Sequence, residues 1–284
     1  KSDFQPNVSV IISARNEEKN IGKLIESLAK QDYPINKFEI LIANDRSNDN
    51  TSKILIEYQK KISNIKILNI NQTPIGWANK KWALSQLINL ANSDIILQVD
   101  ADCVTPPTWI KAMIGNFSND KVGFVCGSSP LVHDDVLLNK IFQMESLIQE
   151  SINAGAVLNG LAVSCTGRNI AFRKKYFELV DGYSGNQEIP SGDDDLLLQK
   201  MAIEGNCIIK YSLDYRSLVD SYAPLNFSEF IKQRLRFGSK AILYYKLETT
   251  FELKAISILI YLANIIFIMS VISFINFNSY LFII

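Results

Sequence analysis

The first half of the chain alternates between short apolar segments and longer polar ones, and this alternation constrains the fold more than any other feature. The segments VSVIIS, FEILIA, IKILNI and DIILQV are almost wholly apolar, and helix-forming stretches separate them. VGFVCGS follows as a fifth predicted strand. Strands that are apolar along their whole length need cover on both faces, as in a parallel sheet flanked by helices. The sequence therefore predicts an α/β fold with a mostly parallel central sheet.

The second half of the chain is less regular. A helix is predicted from about Val136 to Ala154, and a short strand, CIIKY, and a helical stretch, NFSEFIKQRLRFGSKAILYYK, follow later. Neither an internal repeat nor a low-complexity linker separates these elements from the first half. One domain over residues 1–250 is therefore the simplest division of this part of the chain.

Composition excludes several classes of protein. Lys and Arg together number 29, as do Asp and Glu, and this neutral total argues against general nucleic-acid binding, which normally shows a basic excess. A single histidine excludes catalysis that depends on several. The four cysteines form no C-x-x-C pair, so the sequence predicts neither a zinc motif nor a redox motif, and a reducing compartment is expected.

The end of the chain has a different character. No charged residue follows Lys254, and the uncharged run is longer than the about 20 residues that cross a bilayer. We therefore expect a transmembrane segment over residues 251–284. Several Lys and Arg residues precede it, and positive residues beside a span favour the cytoplasmic side. These features predict a protein of the cell (inner) membrane whose preceding domain is cytoplasmic.

The segment VDAD places two acids directly after a predicted strand. Ligands of parallel sheets bind beyond the carboxyl ends of the strands, and residues two apart in an extended chain point in the same direction. Asp100 and Asp102 are thus expected to present two carboxylates to one point. Such a pair suits Mg²⁺ or Mn²⁺, which can also hold a diphosphate. The alternative is a loop with two solvated acids.

Three consecutive acids, Asp193 to Asp195, precede an apolar run in IPSGDDDLLLQKM, although like charges repel one another. The helical period places Asp194 at the start of the inward-facing stripe and turns Asp195 about 100° away. A structural explanation is also open, in which Ser191 is an N-cap and Asp194 completes a capping box. The two roles of Asp194 are compatible. The stripe that it begins continues through Leu197, Leu198 and Met201.

Several motifs, in their order along the chain, resemble those of the inverting family 2 glycosyltransferases, which have the GT-A fold. VSVIISARNEEKNI resembles the opening strand and nucleotide loop, ANDRSNDNT the second acidic motif, and VDAD the D-x-D motif. SGDDDLLLQK resembles the segment that carries the catalytic base, and QRLRF the Q-x-x-R-W motif. The resemblance extends from Val8 to about Phe237. It implies a nucleotide-binding half over residues 1–125 and an acceptor half over residues 126–250.

The resemblance assigns the donor site residue by residue. Ala14, Arg15 and Glu17 would line the nucleotide pocket, and Asp45 would contact the uracil of a uridine nucleotide. A lysine in KKWAL would supply a positive charge to the donor. Lys80 fits this position, and its neighbour Lys81 leaves open which side chain points inward.

The resemblance also assigns the ion and the diphosphate. Asp100 would lie near the ribose and the metal, and Asp102 would be the principal ligand of Mg²⁺ or Mn²⁺. Gln233 and Arg236 would close over the diphosphate of the donor. Phe237 replaces the usual Trp, which keeps an aromatic face and removes an indole N–H. The same stretch can also be an amphipathic helix that lies on lipid.

Sugar transfer requires stabilisation of the departing diphosphate and a base for the acceptor hydroxyl. Asp194 would be that base, and Asp193 would either raise its proton affinity or bind the acceptor. Arg168 and Asn169, in TGRNIAFR, match a turn that lines the donor or the acceptor.

The predicted function is therefore membrane-bound, metal-dependent transfer of a sugar, with a UDP-sugar as the expected donor and a lipid-linked or glycan acceptor. Two alternatives stay open. A nucleotidyltransferase of similar architecture also needs acids, a lysine and a metal, and a non-enzymatic membrane scaffold would keep the fold with a degraded site. The acidic helix start and QRLRF favour the transferase.

Overall fold

The structure is a computed structural model that describes residues 4–132, 136–224, 226–238 and 241–281. In chain order its strands are β1 (Val8–Ala14), β2 (Phe38–Asp45), β3 (Ile65–Ile70), β4 (Ile95–Gln98), β5 (Cys103–Val104), β6 (Val122–Cys126), β7 (Leu131–Val132), β8 (Ile170–Arg173), β9 (Ile208–Tyr211) and β10 (Asp220–Tyr222). The large sheet has the order β3-β2-β1-β4-β8-β6-β9, and a small sheet has the order β5-β10-β7.

The large sheet is mostly parallel, as predicted. β8 runs antiparallel to both of its neighbours, β4 and β6, whereas the other neighbouring pairs are parallel. The sequence analysis did not identify β8 as a strand, because its four residues carry too short a pattern to distinguish a strand from a loop. The two strands predicted in VGFVCGS and CIIKY are confirmed as β6 and β9.

The helices cover both faces of the large sheet. They are α1 (Ile21–Leu28), α2 (Thr51–Lys61), α3 (Asn79–Leu90), α4 (Trp109–Ile114), α5 (Leu137–Leu158), α6 (Lys174–Leu179), α7 (Asp195–Ile203), α8 (Phe227–Gly238), α9 (Ala241–Lys246) and α10 (Phe251–Leu281). The helix predicted from about 136 to 154 is thus one turn longer. The stretch that contains QRLRF is divided between α8 and α9, and residues 239–240 between them lie outside the described residues.

Strand β1 shows why the central strands are apolar along their whole length. Val10 and Ile12 point into a core that includes α1 and α4, whereas Ile11 points into the core on the opposite face, which includes α3 and α7. All three side chains are fully buried. Because side chains alternate along a strand, both faces of β1 must be apolar when helices cover both.

The structure does not support the predicted transmembrane segment. Among the residues whose placement is described, no helix has both the length and the apolar character that crossing a bilayer requires. The prediction rested on the whole uncharged run after Lys254. Part of that run, namely residues 282–284 and several side chains of α10, lies outside the described residues.

Candidate active site

The carboxyl ends of β1 and β2 carry two loops that hold each other in place. Asn16 and Arg46 each adopt a left-handed backbone conformation, with φ angles of 58° and 52°, so the chain turns sharply after both strands. The backbone N–H of Asn16 donates to Ser47 Oγ at 3.1 Å, and that of Glu17 donates to Thr51 Oγ1 at 2.8 Å. The two loops therefore form one polar rim at this edge of the sheet.

The residues predicted to line a nucleotide pocket lie on this rim. Ala14 is the last residue of β1 and is fully buried, whereas Arg15 is exposed. Asp45 is the last residue of β2, and its buried carboxylate accepts a hydrogen bond from Arg46 Nε at 2.8 Å. The structure thus brings these three positions and Glu17 to one edge of the sheet.

Glu17 lies within electrostatic range of the acids that follow β4. Burial raises the pKa of Glu17, a hydrogen bond from Asn20 at 3.0 Å opposes the shift, and the carboxylates of Asp102 and Asp100 add to it. Burial is the largest cause of this raised pKa, and the negative charges at this edge contribute in the same direction. A cation bound here would relieve their repulsion.

The ammonium group of Lys80 bridges two of the predicted acids. Its Nζ lies 2.9 Å from Asp100 Oδ1 and 2.9 Å from Asp193 Oδ2. Burial opposes the positive charge, but the two carboxylates raise the pKa of Lys80 well above its usual value. Helix α3 therefore supplies a permanent cation between the end of β4 and the segment that precedes α7.

Lys81, the adjacent lysine, points into the protein interior and has a different role. Its Nζ donates to the backbone carbonyl of Asn186 at 2.7 Å and to the side-chain oxygen of Asn186 at 2.9 Å, and it lies 5.8 Å from the centre of the Tyr183 ring. The residue is 1% exposed. Lys81 anchors the loop around Asn186, so Lys80 is the lysine that faces the acids.

A turn carries the two acids of VDAD, and the extended geometry assumed in the sequence analysis is not observed. β4 ends before them, and the backbone N–H of Cys103 donates to the carbonyl of Asp100 at 3.2 Å. The two carboxylates are nevertheless neighbours. Burial raises the pKa of Asp100, the Lys80 ammonium opposes this, and the charge of Asp102 adds to it.

Asp102 lines an open cleft of about 990 Å³. Gln233 and Arg236 of α8, from QRLRF, line the same cleft, as does Tyr222 of β10. The side chain of Phe237 lies outside the described residues. Positive charges around the cleft outnumber negative ones, which suits an anionic ligand. The other charged residues that line it are Lys19, Lys23, Glu229 and Lys232.

Asp194 is the N-cap of α7 and also binds a distant loop. Its Oδ1 accepts a hydrogen bond from the backbone N–H of Asp195, and its Oδ2 accepts one from the backbone N–H of Gly167, both at 2.7 Å. A Cβ atom at Gly167 would lie only 3.3 Å from that Oδ2, so glycine suits this close approach. The carboxylate is held in one orientation and keeps lone pairs for a further donor.

The acids on either side of Asp194 are more buried than it is. Asp193 is 6% exposed and Asp195 is 2% exposed, whereas Asp194 is half-buried. The prediction that Asp195 turns away from the interior is wrong, because α7 is buried on nearly all sides near its start. The predicted capping box is also not formed, since the cap is Asp194 and not Ser191.

Arg168 and Asn169 precede β8 and differ in exposure. Arg168 is half-buried, its Nε donates to Thr166 Oγ1 at 3.0 Å, and its guanidinium group contacts Ser221 of β10. Asn169 is fully buried. Its amide group donates to two backbone carbonyls, and its oxygen accepts from Trp109 Nε1 at 2.9 Å. Asn169 is therefore a structural residue, and of the two only Arg168 is accessible.

Gln98 is a residue of this site that the sequence analysis missed. Its fully buried amide donates to Asp193 Oδ2 at 2.9 Å and to the carbonyl of Gly167 at 3.4 Å. It thereby joins β4 to the Asp193–Lys80 ion pair and to the loop that holds Asp194. The available signal was a glutamine in an otherwise apolar strand, because a buried polar side chain needs a hydrogen-bond partner.

Comparisons with known proteins agree with this fold. The model of the family "Glycosyl transferase family 2" matches residues 9–180. Beta-monoglucosyldiacylglycerol synthase from Trichormus variabilis is 34% identical over 120 residues, which are 42% of this chain and 25% of that protein. The mannosyltransferase PcManGT from Pyrobaculum calidifontis, solved in complex with GDP-Man and Mn²⁺, superposes with a TM-score of 0.63 at 18% identity and covers 82% of this chain and 61% of its own.

A second solved structure shows the same fold. TarS 1-349 from Staphylococcus aureus, in complex with UDP-GlcNAc, gives a TM-score of 0.56 at 22% identity, over 78% of this chain and 59% of that one. These likenesses identify the architecture as a GT-A-like α/β fold. Because the family model matches more than half of the chain, the chain belongs to glycosyl transferase family 2. The match to the Trichormus synthase covers only 25% of that protein's length.

Proposed function

We propose that this protein is an inverting glycosyltransferase that moves a sugar from a nucleoside-diphosphate sugar to a hydroxyl group of a lipid-linked or glycan acceptor. The observation that carries the proposal is the orientation of Asp194, whose carboxylate is fixed by Gly167 next to the Lys80–Asp100–Asp193 cluster. Direct displacement needs a base for the incoming hydroxyl and stabilisation of the departing diphosphate. The family supports this reaction class.

The donor nucleotide would bind along the rim formed by the loops after β1 and β2. Ala14 and Arg15 supply backbone atoms and a cation there, and Glu17 lies towards the acids after β4. The buried carboxylate of Asp45 is oriented by Arg46 and can accept an N–H of a nucleobase. The solved neighbours were bound to GDP-Man and UDP-GlcNAc, and a uridine nucleotide is the donor that we propose.

The diphosphate would lie in the cleft that Asp102 and α8 line. Arg236 offers a planar fork of N–H donors that matches phosphate oxygens, and Gln233 adds a neutral donor one helical turn earlier. Phe237, by its resemblance to the Trp of Q-x-x-R-W, would contribute an aromatic face. Positive charge here stabilises the negative charge that the departing group gains.

The residues present fit a divalent metal. Within the described part of the chain, no group of three or more His, Cys, Asp or Glu residues is arranged to hold an ion. Mg²⁺, however, is commonly bound through one or two carboxylates together with substrate phosphates. Asp102, which lines the cleft, would hold the ion with Asp100 beside it, and the bound ion would neutralise charge on the diphosphate. PcManGT was solved with Mn²⁺.

Asp194 would accept the proton of the acceptor hydroxyl. Two backbone N–H groups already orient its carboxylate, so the oxygen that meets the hydroxyl is pre-positioned. Asp193 is bound by Lys80 and Gln98, and we assign it the role of holding the segment that carries Asp194. Arg168 would line the acceptor side.

We propose that the acceptor is used at the cytoplasmic face of the cell membrane. Phe227, Ile231 and Leu235 of α8 lie four residues apart and are 58%, 38% and 68% exposed. They therefore form an apolar face on the helix that also lines the cleft, as expected for a helix that rests on lipid. The Trichormus relative is named for a glucosylated diacylglycerol, which supports a lipid-linked acceptor.

The proposal is tested by incubating the protein and Mn²⁺ with a panel of nucleotide sugars, in the presence of a membrane lipid extract or short glycans. Release of nucleoside diphosphate that depends on the acceptor, with an inverted anomeric configuration in the product, supports it. Release of pyrophosphate from a nucleoside triphosphate would instead support a nucleotidyltransferase. Absence of binding to any nucleotide would favour a scaffold.

A further inference from the structure

Tyr244 of α9 connects the segment that follows QRLRF to the start of α7. Its hydroxyl donates to Asp195 Oδ2 at 2.5 Å, and the other oxygen of Asp195 accepts from the backbone N–H of Leu196 at 2.8 Å. Burial raises the pKa of Tyr244, and the charge of Asp195 adds to the shift. The hydroxyl therefore keeps its proton and remains a donor to this buried carboxylate.

A second attachment fixes the same segment, residues 244–253, which we call the strap. Gln199 Oε1 accepts from the backbone N–H and from the hydroxyl of Thr250, both at 2.9 Å. Gln199 and Asp195 are four residues apart and thus lie on the same face of α7. The ring of Tyr244 and the buried Leu253 pack in one small apolar cluster. The strap therefore runs along one face of α7 and is bound to it at two points.

The first of these points lies next to the candidate base. Asp194 is the N-cap of α7, and its Oδ1 is bonded to the backbone N–H of Asp195. Asp195 is therefore bound on two sides, by Asp194 through its backbone N–H and by Tyr244 through its carboxylate. Through this bond Tyr244 ties the first residue of α7, which orients Asp194, to the strap.

We propose that Tyr244 is a positioning residue for the transfer step, which acts through Asp195 to keep the carboxylate of Asp194 in its productive orientation. The inference rests on the proposed role of Asp194 as the base. The strap follows, along the chain, helix α8, which carries Gln233 and Arg236. Tyr244 itself has no contact with the reacting groups in this account.

The test compares two adjacent tyrosines in the full chain. Tyr244→Phe removes the hydroxyl and keeps the ring in its apolar cluster. Tyr245→Phe is the matched control, because the Tyr245 hydroxyl donates to the backbone carbonyl of Lys254 at 2.9 Å and its ring is exposed. Misplacement of a catalytic group by about 1 Å costs on the order of 10²-fold in rate.

We expect Tyr244→Phe to lower kcat by roughly tenfold or more, with the KM and the Kd of the donor unchanged. Tyr245→Phe is expected to match the wild type in all three quantities.

Two further variants separate positioning from general loosening. Thr250→Val weakens the other attachment of the strap and is expected to lower Tm without lowering kcat at temperatures where circular dichroism shows a folded protein. Asp195→Asn keeps an oxygen for the Tyr244 hydroxyl and is expected to lower kcat less than Tyr244→Phe does. A Tyr244→Phe enzyme with wild-type kcat, or equal losses of kcat in Tyr244→Phe and Thr250→Val, would overturn the inference.

Failure of this inference is distinguishable from failure of the proposed function. If Asp194→Asn abolishes transfer while Tyr244→Phe transfers at the wild-type rate, only the role of Tyr244 is wrong. If Asp194→Asn transfers normally, the assignment of Asp194 as the base is wrong, and if the wild type transfers no sugar, the proposed function is wrong. The positioning role of Tyr244 falls in either case.

Discussion

Lys80 Nζ lies 2.9 Å from Asp193 Oδ2, and this ion pair joins helix α3 to the segment that carries the candidate base. Gln98 donates to the same carboxylate oxygen at 2.9 Å. Without Lys80, the buried carboxylate of Asp193 would keep the neutral amide of Gln98 but lose its positive partner. A buried charge without an opposite charge is unfavourable. The ion pair therefore matters for the position of the acids as well as for the charge of the donor site.

The two adjacent lysines are expected to differ in their effect on kcat, because Lys80 contacts the acids of the site and Lys81 donates to Asn186. Lys80→Met should lower kcat by about 10² or more, because the group that orders the acids is lost. Lys81→Met should instead lower the free energy of unfolding by roughly 1–3 kcal/mol, because it leaves the buried oxygens of Asn186 without their donor. The measurements are kcat and Tm for both variants at a temperature where both are folded. A larger loss of kcat in Lys81→Met would contradict the assignment.

Asp102→Asn is expected to remove the effect of Mn²⁺ on donor binding. The side chain lines the cleft and does not belong to the core, so Tm should change little. Donor affinity is measured by calorimetry with and without Mn²⁺. Asp32→Asn is the control, since Asp32 is an exposed acid that pairs with Lys111. An Asp102→Asn protein whose donor affinity still rises with Mn²⁺ would show that another residue holds the ion.

Arg236→Ala is expected to lower turnover far more than it lowers stability. Arg236 is exposed at the cleft, and an exposed charge contributes only about 0–1 kcal/mol to folding. Arg216→Ala provides the control, because Arg216 is also exposed and pairs with Asp214. Turnover with saturating acceptor and Tm are compared for the two variants. Parallel losses of turnover and Tm in Arg236→Ala would point to a structural arginine.

The sheet could be predicted from the sequence because full burial of both faces leaves a visible pattern, as in β1 and β2. The local directions of single side chains could not. The extended geometry assumed for VDAD fails because the chain turns after β4, and sequence spacing does not specify where a strand ends. Lys80 and Lys81 are identical in type, and only tertiary contacts show that one faces the acids and the other Asn186.

Helical periodicity was also a weaker guide at α7 than the sequence suggested. The argument assumed one buried stripe, but Leu196, Leu197, Leu198 and Gln199 are all buried, so the period does not separate an inner from an outer face. Asp194 lies at the start of this helix as its N-cap, and its role as the base stays a prediction. Gln98 contacts Asp193 and Tyr244 contacts Asp195, although each pair is far apart in the sequence. No local sequence pattern predicts such contacts.

The central claim is that Asp194 is the base, and it is tested by the rate of sugar transfer at saturating donor for Asp194→Asn. Asn can still cap α7, so the fold, donor affinity and Mn²⁺ dependence should be retained. Asp214→Asn is the matched control, since Asp214 caps a short helix elsewhere through the backbone N–H of Arg216. We predict that transfer by Asp194→Asn falls by about 10²–10⁴-fold and that transfer by Asp214→Asn does not change. Near-normal transfer by Asp194→Asn, together with loss of transfer in Asp193→Asn or Asp195→Asn, would contradict the account and assign the base to a neighbouring acid.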